Sequence, residues 1–313
     1  MPGKLRSLQV LRAVAALGVV FSHASPQALG LGSIGVDIFF VISGFIIAKV
    51  APGRSPQQFL LDRAWRIYPP AIVASLLTLV LLQSPMSAAA TAASLSLWPV
   101  YPGGFAWPYV GGGWTLCFEI MFYSFAALAI WRGSIALPLG IYAAALLAAF
   151  AVGGSLPAFI GSPMALEFLA GVVIARMRTQ PRPELVLVCG LAALTWLPSL
   201  GEPAIALNPS TAVLRVIFWG VPAACIVYAA TALERVFQRR AFDPLVSIGD
   251  ASYSLYLMHI IALQLVGGPV ALAVPAAVAG GFAFHFLAER PLLKARKWIR
   301  PQPLKAALAA QEH

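Results

Sequence analysis

Arg12 and His23 are separated by AVAALGVVFS, ten uncharged and mostly apolar residues. Such a segment reads as a helix inside a membrane or a packed core. Eleven steps of about 100° bring the two side chains onto one face, roughly 16 Å apart along the axis. A fixed cation and a titratable imidazole on one membrane helix are costly unless they face a polar interior. Glu119, in GGGWTLCFEIMFY, puts a carboxylate into another apolar run. A histidine within reach of a carboxylate can serve as a general base, the carboxylate holding the tautomer and stabilising the imidazolium. The plainer alternative is a buried polar pair that fixes helix packing. Inside a membrane span the functional reading is the stronger one.

Arg63 and Arg66 in LLDRAWRIYPP lie three apart on one helical face, beside Trp65 and Tyr68. Two guanidinium groups so placed suit phosphate or pyrophosphate oxygens. They would equally suit interfacial anchoring. With Arg12 deeper in the same half, the three arginines point to a long anionic ligand whose charged head stays at the surface while its tail enters the bundle. Tyr253, Tyr256 and His259 recur at i, i+3 and i+6 in SIGDASYSLYLMHI, a stripe that either packs a core or lines a polar passage. Asp37 and Glu167 each open an apolar helix, where a carboxylate suits the free N–H groups and the dipole, so both read as caps. Arg215 would hold an anionic or sugar acceptor, or snorkel to the interface. His285 reads as packing or as a partner of a helix end. Cys117, two residues from Glu119, reads as a buried small hydrophobe. Cys117, Cys189 and Cys225 are odd in number and show neither a disulfide framework nor a metal spacing, and no metal site is expected. No phosphate-binding loop, GxSxG or dinucleotide fingerprint occurs.

These groups need elements to hold them. The 313 residues are 60% hydrophobic and 10% charged, against about 25% charged in soluble domains. The fold class expected is therefore all-α, a polytopic membrane bundle of about ten helices. They start near Leu5, Ile34, Tyr68, Gly112, Ile135, Pro163, Glu184, Thr211, Ile248 and Pro269, with bends at Ser43-Gly44 and Pro222. Lys and Arg fall in alternate loops, which puts both termini in the cytoplasm. The net charge of +10 then follows from topology, and no nucleic-acid partner is needed. Residues 1–300 read as a single transmembrane domain. Residues 301–313 read as a short basic cytoplasmic tail at the membrane surface. Lys4, Arg6 and the apolar run after them also have the form of a cleavable signal peptide, the weaker of two readings. On this topology His23 is near the outer end of helix one. Glu119 is roughly 10 Å below the outer surface, a similar depth.

Five motifs in order, LRAVAALGVVFSHA, GVDIFFVISGFIIA, DRAWRIYP, GGGWTLCFEIMFY and SYSLYLMH, resemble the acyltransferase-3 family of integral membrane O-acyltransferases over nearly the whole chain. The chain looks most like family members that acetylate bacterial exopolysaccharides. The resemblance implies acyl transfer from a cytoplasmic acyl-CoA, usually acetyl-CoA, to a carbohydrate hydroxyl. The acceptor would be a lipid-linked or growing exopolysaccharide sugar, and the site the bacterial inner membrane. It makes His23 the catalytic base or acyl relay, paired with Arg12. Arg63 and Arg66 match an Arg-x-x-Arg element proposed to hold CoA phosphates. Trp114, Thr115 and Glu119 match a Trp-Ser/Thr-Leu-x-x-Glu element, and His259 a late histidine. Asp37, Trp114, Tyr253, Tyr256, His259 and Arg215 are the expected substrate or pore lining. Direct transfer and an acyl-histidine intermediate both stay open. Two alternatives accompany this reading. One is a sugar or acyl transporter with Glu119 and His259 as a proton relay; the other is an acyltransferase acting on a non-polysaccharide acceptor.

Overall fold

Apolar runs bounded by Gly, Pro and Ser become helices along the entire computed structural model, which describes residues 4–25, 32–83, 87–101, 104–195 and 209–299. The expected cytoplasmic tail lies outside the described residues. Helix α1 is Arg6–Ala24, α2 Ile34–Val50 and α3 Pro56–Leu82. Ser55 caps α3 by accepting from Gln58 N (3.2 Å), and Pro56 fills the first turn, where its missing N–H costs nothing. The helix therefore begins twelve residues before the expected Tyr68. The polar stretch DRAWR continues the helix toward the basic end instead of forming a loop. Pro69 and Pro70 inside α3 deprive the carbonyls of Trp65 and Arg66 of their i+4 donors.

Helix α4 (Ala88–Ser96) and a two-residue antiparallel ladder, Val100–Tyr101 with Gly104–Phe105, precede α5 (Gly113–Arg132). Then come α6 (Ala136–Ala151), α7 (Ser155–Ile160), α8 (Ala165–Arg176) and α9 (Pro183–Thr195). Helix α10 (Pro209–Arg215) passes through a π-helical turn, Val216–Gly220, into α11 (Val221–Ala232). Helices α12 (Asp243–Asp250) and α13 (Ser252–Val266) follow, with a bend of 64° between them. Helix α14 (Val270–Phe284), a second π-helical turn (His285–Glu289) and α15 (Arg290–Ile299) close the described chain.

Helices occupy all ten expected segments, but among the described residues six are long and apolar enough to cross a membrane alone, or seven if the bent α12–α13 pair is one span. Large apolar side chains such as Val80, Leu147 and Leu287 face outward, 72%, 70% and 81% exposed, as a lipid-facing surface requires. Inside, α1 packs on α2, α12 and α13, while α3 packs on α5. The tightest joint is α2 on α8. A Cβ at Gly44 would stand 1.9 Å from Phe168 O, and one at Gly171 would stand 1.9 Å from Val41 O. The two backbones touch, as small residues permit between membrane helices. Gly44, expected at a bend, instead lies within an unbroken α2 and serves this approach. Phe168 stacks on Phe40 and Phe122 beside the joint, with centroids 4.5 Å apart in each case.

Candidate functional site

Helices α1, α2, α3, α5 and α13 enclose a cavity with about 80 Å³ of room. Its polar wall is Arg12, Arg63, Arg66, Glu119, Tyr123 and Tyr253. Arg12, from the inward face of α1, donates through Nε to Ser252 Oγ at 3.0 Å. Arg63 and Arg66 are one turn apart on α3, and the Arg63 guanidinium sits 6.0 Å from the Tyr123 ring centre. Arg63 Nε is buried with no acceptor among the described residues. Glu119 accepts a short hydrogen bond from Tyr123 and a weak one from Ser43 Oγ (3.4 Å). Tyr253 donates to Ile67 O at 2.9 Å, tying α13 to α3. Three guanidinium groups against one carboxylate make the wall cationic. An orphaned guanidinium N–H inside such a wall fits an oxyanion.

Beyond the cavity are two imidazoles. His259 is fully buried, its Nδ1 donating to Tyr256 O (2.6 Å), and its Nε2 has no partner among the described residues. Its ring stands edge-on to that of His23, centroids 5.0 Å apart. His23 is exposed at the end of α1, and its Nδ1 donates to Val19 O (2.8 Å). That bond fixes the tautomer and leaves Nε2 as an acceptor. Tyr256 lies between cavity and imidazoles. It lines the first and touches the ring of His259, with centroids 5.6 Å apart. Its hydroxyl accepts from Thr115 Oγ1 (2.9 Å) and donates to Gly112 O (3.1 Å). Gly112 has φ of 75°, a left-handed turn that lets the tyrosine approach the start of α5. Phe39 leans on the same ring from α2, centroids 6.1 Å apart.

The expected contact between His23 and Glu119 is not formed. Similar depth was inferred from rise along each helix, but depth carries no azimuth. Helix α1 turns His23 toward α13, and Glu119 faces α2 and α3. Asp37 is not a cap either. Its carboxylate takes Arg215 Nε (3.0 Å) and a terminal guanidinium nitrogen (2.7 Å), with both side chains buried. Arg215 also donates to Ser33 O (3.4 Å) and covers the Trp219 ring at 4.6 Å. It therefore neither snorkels nor lines the cavity. Glu167 belongs to the same joint between α2, α8 and α10. Its carboxyl lies within hydrogen-bonding reach of that of Asp37. Trp114 packs on Phe40 and Phe118, outside the cavity wall. His285 pairs with Glu289 (2.7 Å). Cys117 is fully buried. Among the described residues no three of His, Cys, Asp and Glu gather as metal ligands would.

The sequence reading missed Tyr123, Ser252 and Glu289. An i,i+4 Glu-Tyr pair on one helix face was the available sign for Tyr123. A lone acid between Ala288 and Arg290, at the end of an apolar run, was the sign for Glu289.

Residues 5–288 match the family model described as an acyltransferase domain. The exopolysaccharide production protein ExoZ of Rhizobium meliloti is 31% identical over 301 residues, covering 84% of this chain and 90% of that protein. O-acetyltransferase OatA of Staphylococcus aureus is 45% identical over 49 residues, covering 16% of this chain and 8% of that protein. No solved structure matches.

Proposed function

The chain belongs to the acyltransferase family, so it is an O-acyltransferase held in a membrane by several helices, and we propose that it moves an acetyl group from cytoplasmic acetyl-CoA to a hydroxyl of an exopolysaccharide sugar. The basic end of the bundle would face the cytoplasm of a bacterial inner membrane. The observation that carries this reading is the cationic cavity beside a pair of imidazoles, His259 buried and His23 exposed, with Tyr256 between cavity and pair. Arg63, Arg66 and Arg12 suit the anionic donor, and the orphaned Arg63 Nε is the donor group left for it. About 80 Å³ admits the thioester end alone, so the nucleotide head would stay at the basic mouth. The exopolysaccharide acceptor is supported by the likeness to the exopolysaccharide production protein ExoZ over 84% of this chain.

In the proposed transfer, His23 Nε2 takes the proton of the acceptor hydroxyl while the oxygen attacks the thioester carbonyl. His23 then returns the proton to the departing CoA thiolate, so no net proton is consumed. His259, with Nε2 free beside His23, holds the second imidazole against the first. Glu119 serves the donor wall, oriented by Tyr123 and Ser43. The thioester reaches His23 only if Tyr256 gives way. Purified protein with labelled acetyl-CoA and an oligosaccharide acceptor tests the reading. His23→Ala should abolish transfer and leave acetyl-CoA binding intact; transfer retained by that variant removes His23 from the mechanism.

A further inference from the structure

A second space lies behind the arginine cavity. Helix α6 packs on α5 and α7, and α8 packs on α2. Between these two groups runs a crevice of about 720 Å³. Phe122, Phe125, Ala129, Pro138 and Leu169 give it an apolar lining. It is closed at one end, where Tyr142 donates to Ser162 O (3.3 Å) and a Cβ at Gly161 would stand 2.3 Å from Leu146 N. At the other end are Arg54, Ser134 and Arg176. Arg54 and Arg296 both pair with Asp62, two cations on one carboxylate, which leaves the group positive. Arg176 is exposed at the end of α8. Ile135 and Leu139, on the rim, are 49% and 37% exposed, so the crevice opens sideways onto the lipid-facing surface.

An apolar cavity stays dry and takes apolar molecules. In a membrane the apolar molecule at hand is an acyl chain. The mouth adds a demand for negative charge, since basic pockets between membrane helices bind anionic lipid headgroups. Acyl-CoA fits this space poorly. Its pantetheine amides would meet only the Tyr142 hydroxyl inside, whose proton already goes to Ser162. A lipid-linked sugar fits no better. Arg54 follows the end of α2, while His23 lies beside its start, where a Cβ at Gly32 would meet Ser22. The 17 residues of α2 rise about 25 Å, too far for a sugar held at Arg54 to reach the imidazole. We propose that the crevice holds one anionic phospholipid of the leaflet at the basic end, its phosphate on Arg54 and Arg176 and an acyl chain along Phe122, Ala129 and Leu169. Helix α5 then stands between two ligands, giving Phe122 to the lipid and Glu119 and Tyr123 to the arginine cavity. The proposal stands whatever donor that cavity takes.

The test is native mass spectrometry of the full chain, titrated in detergent with phosphatidylglycerol or phosphatidylcholine. One phosphatidylglycerol should be held on the order of tenfold more tightly than phosphatidylcholine. Arg176→Gln should weaken it about fivefold, the worth of one arginine near a membrane surface. Arg54→Gln with Arg176→Gln should bring the two lipids to parity. Ala129→Trp fills the crevice with both arginines intact and should remove the bound lipid. In wild-type protein, phosphatidylglycerol with a photoactivatable group in its acyl chain should label residues 122–129 and 165–172, which carries the test should the tryptophan variant not fold. Equal retention of the two lipids by wild-type protein, retention untouched by Ala129→Trp, or labelling confined to outward residues such as Leu147 and Val173 overturns the proposal. So does a dimer that Ala129→Trp dissociates, since a second copy would then fill the crevice.

Discussion

Arg215→Met removes a charge from the joint of α2, α8 and α10 while keeping a long side chain over Trp219. Arg215 gives Asp37 two hydrogen bonds, at 3.0 and 2.7 Å, and neither side chain reaches solvent appreciably. Taking away one partner of a buried ion pair costs about 3–5 kcal/mol, because the other charge stays behind unpaired. Asp37 would then be left with Glu167 as its side-chain neighbour in the joint. Asp37→Asn is the informative comparison. Arg215 then keeps one amide acceptor and the adjoining Glu167 carboxyl, so the cost should be about 1–2 kcal/mol. The Asp37→Leu/Arg215→Met double variant should recover most of the loss, as apolar replacement of a buried pair commonly does. In a chain of this size these costs correspond to a fall of about 10 °C for Arg215→Met and about 3–6 °C for Asp37→Asn. Thermal unfolding in detergent, followed by tryptophan fluorescence, reads them. Equal losses in the two single variants, or a double variant no better than Arg215→Met, would refute the claim that Glu167 stands in for Asp37.

Three further outcomes follow from the donor wall and its supports. Arg63→Glu with Arg66→Glu should raise the KM for acyl-CoA at least about tenfold with kcat little changed, since one charge-assisted contact is worth that much; unchanged KM would return the pair to membrane anchoring. Gly112→Ala should cost about 1–2 kcal/mol for its positive φ, and its Cβ would stand 2.6 Å from the Tyr256 hydroxyl. Melting temperature and activity should therefore both fall further than in Tyr256→Phe. Gly171→Val should give protein about 3 kcal/mol less stable or none that folds, because the new side chain has only the Val41 carbonyl to enter; a normal melting curve would deny the backbone contact.

What could be read from the residues was set by periodicity and by cost. Arg63 and Arg66 were found because two cations at i, i+3 on an apolar chain are conspicuous, and they do share the cavity with Arg12. His23 and Glu119 were found for the same reason. Their assignment to each other failed because a rise of about 1.5 Å per residue fixes height and says nothing of which neighbour a face meets. His259 is what His23 meets, and the pairing depends on how α13 rotates against α1. Asp37, Glu167 and Arg215 were each visible as isolated charges near helix starts. That they form one joint needed the packing of α2 on α8, which is written in Gly44 and Gly171 as an absence of side chains and so offers no pattern to a hydropathy reading. Length and composition count six spans or seven among the described residues, because short helices such as α6 and α9 are apolar but not long enough to count by themselves.

The closeness of α2 to α8 also decides which wall of the cavity can move. Backbone atoms already in contact have no room to retreat, so α2 behaves as a fixed post. The opposite wall is α13, which begins at the elbow after Asp250, packs on α1 and α14, and reaches its other neighbours through the hydroxyls of Ser252, Tyr253 and Tyr256. On the acyl-CoA reading, whatever travels from the arginines to the imidazoles has to pass Tyr256, which stands on the wall opposite that post.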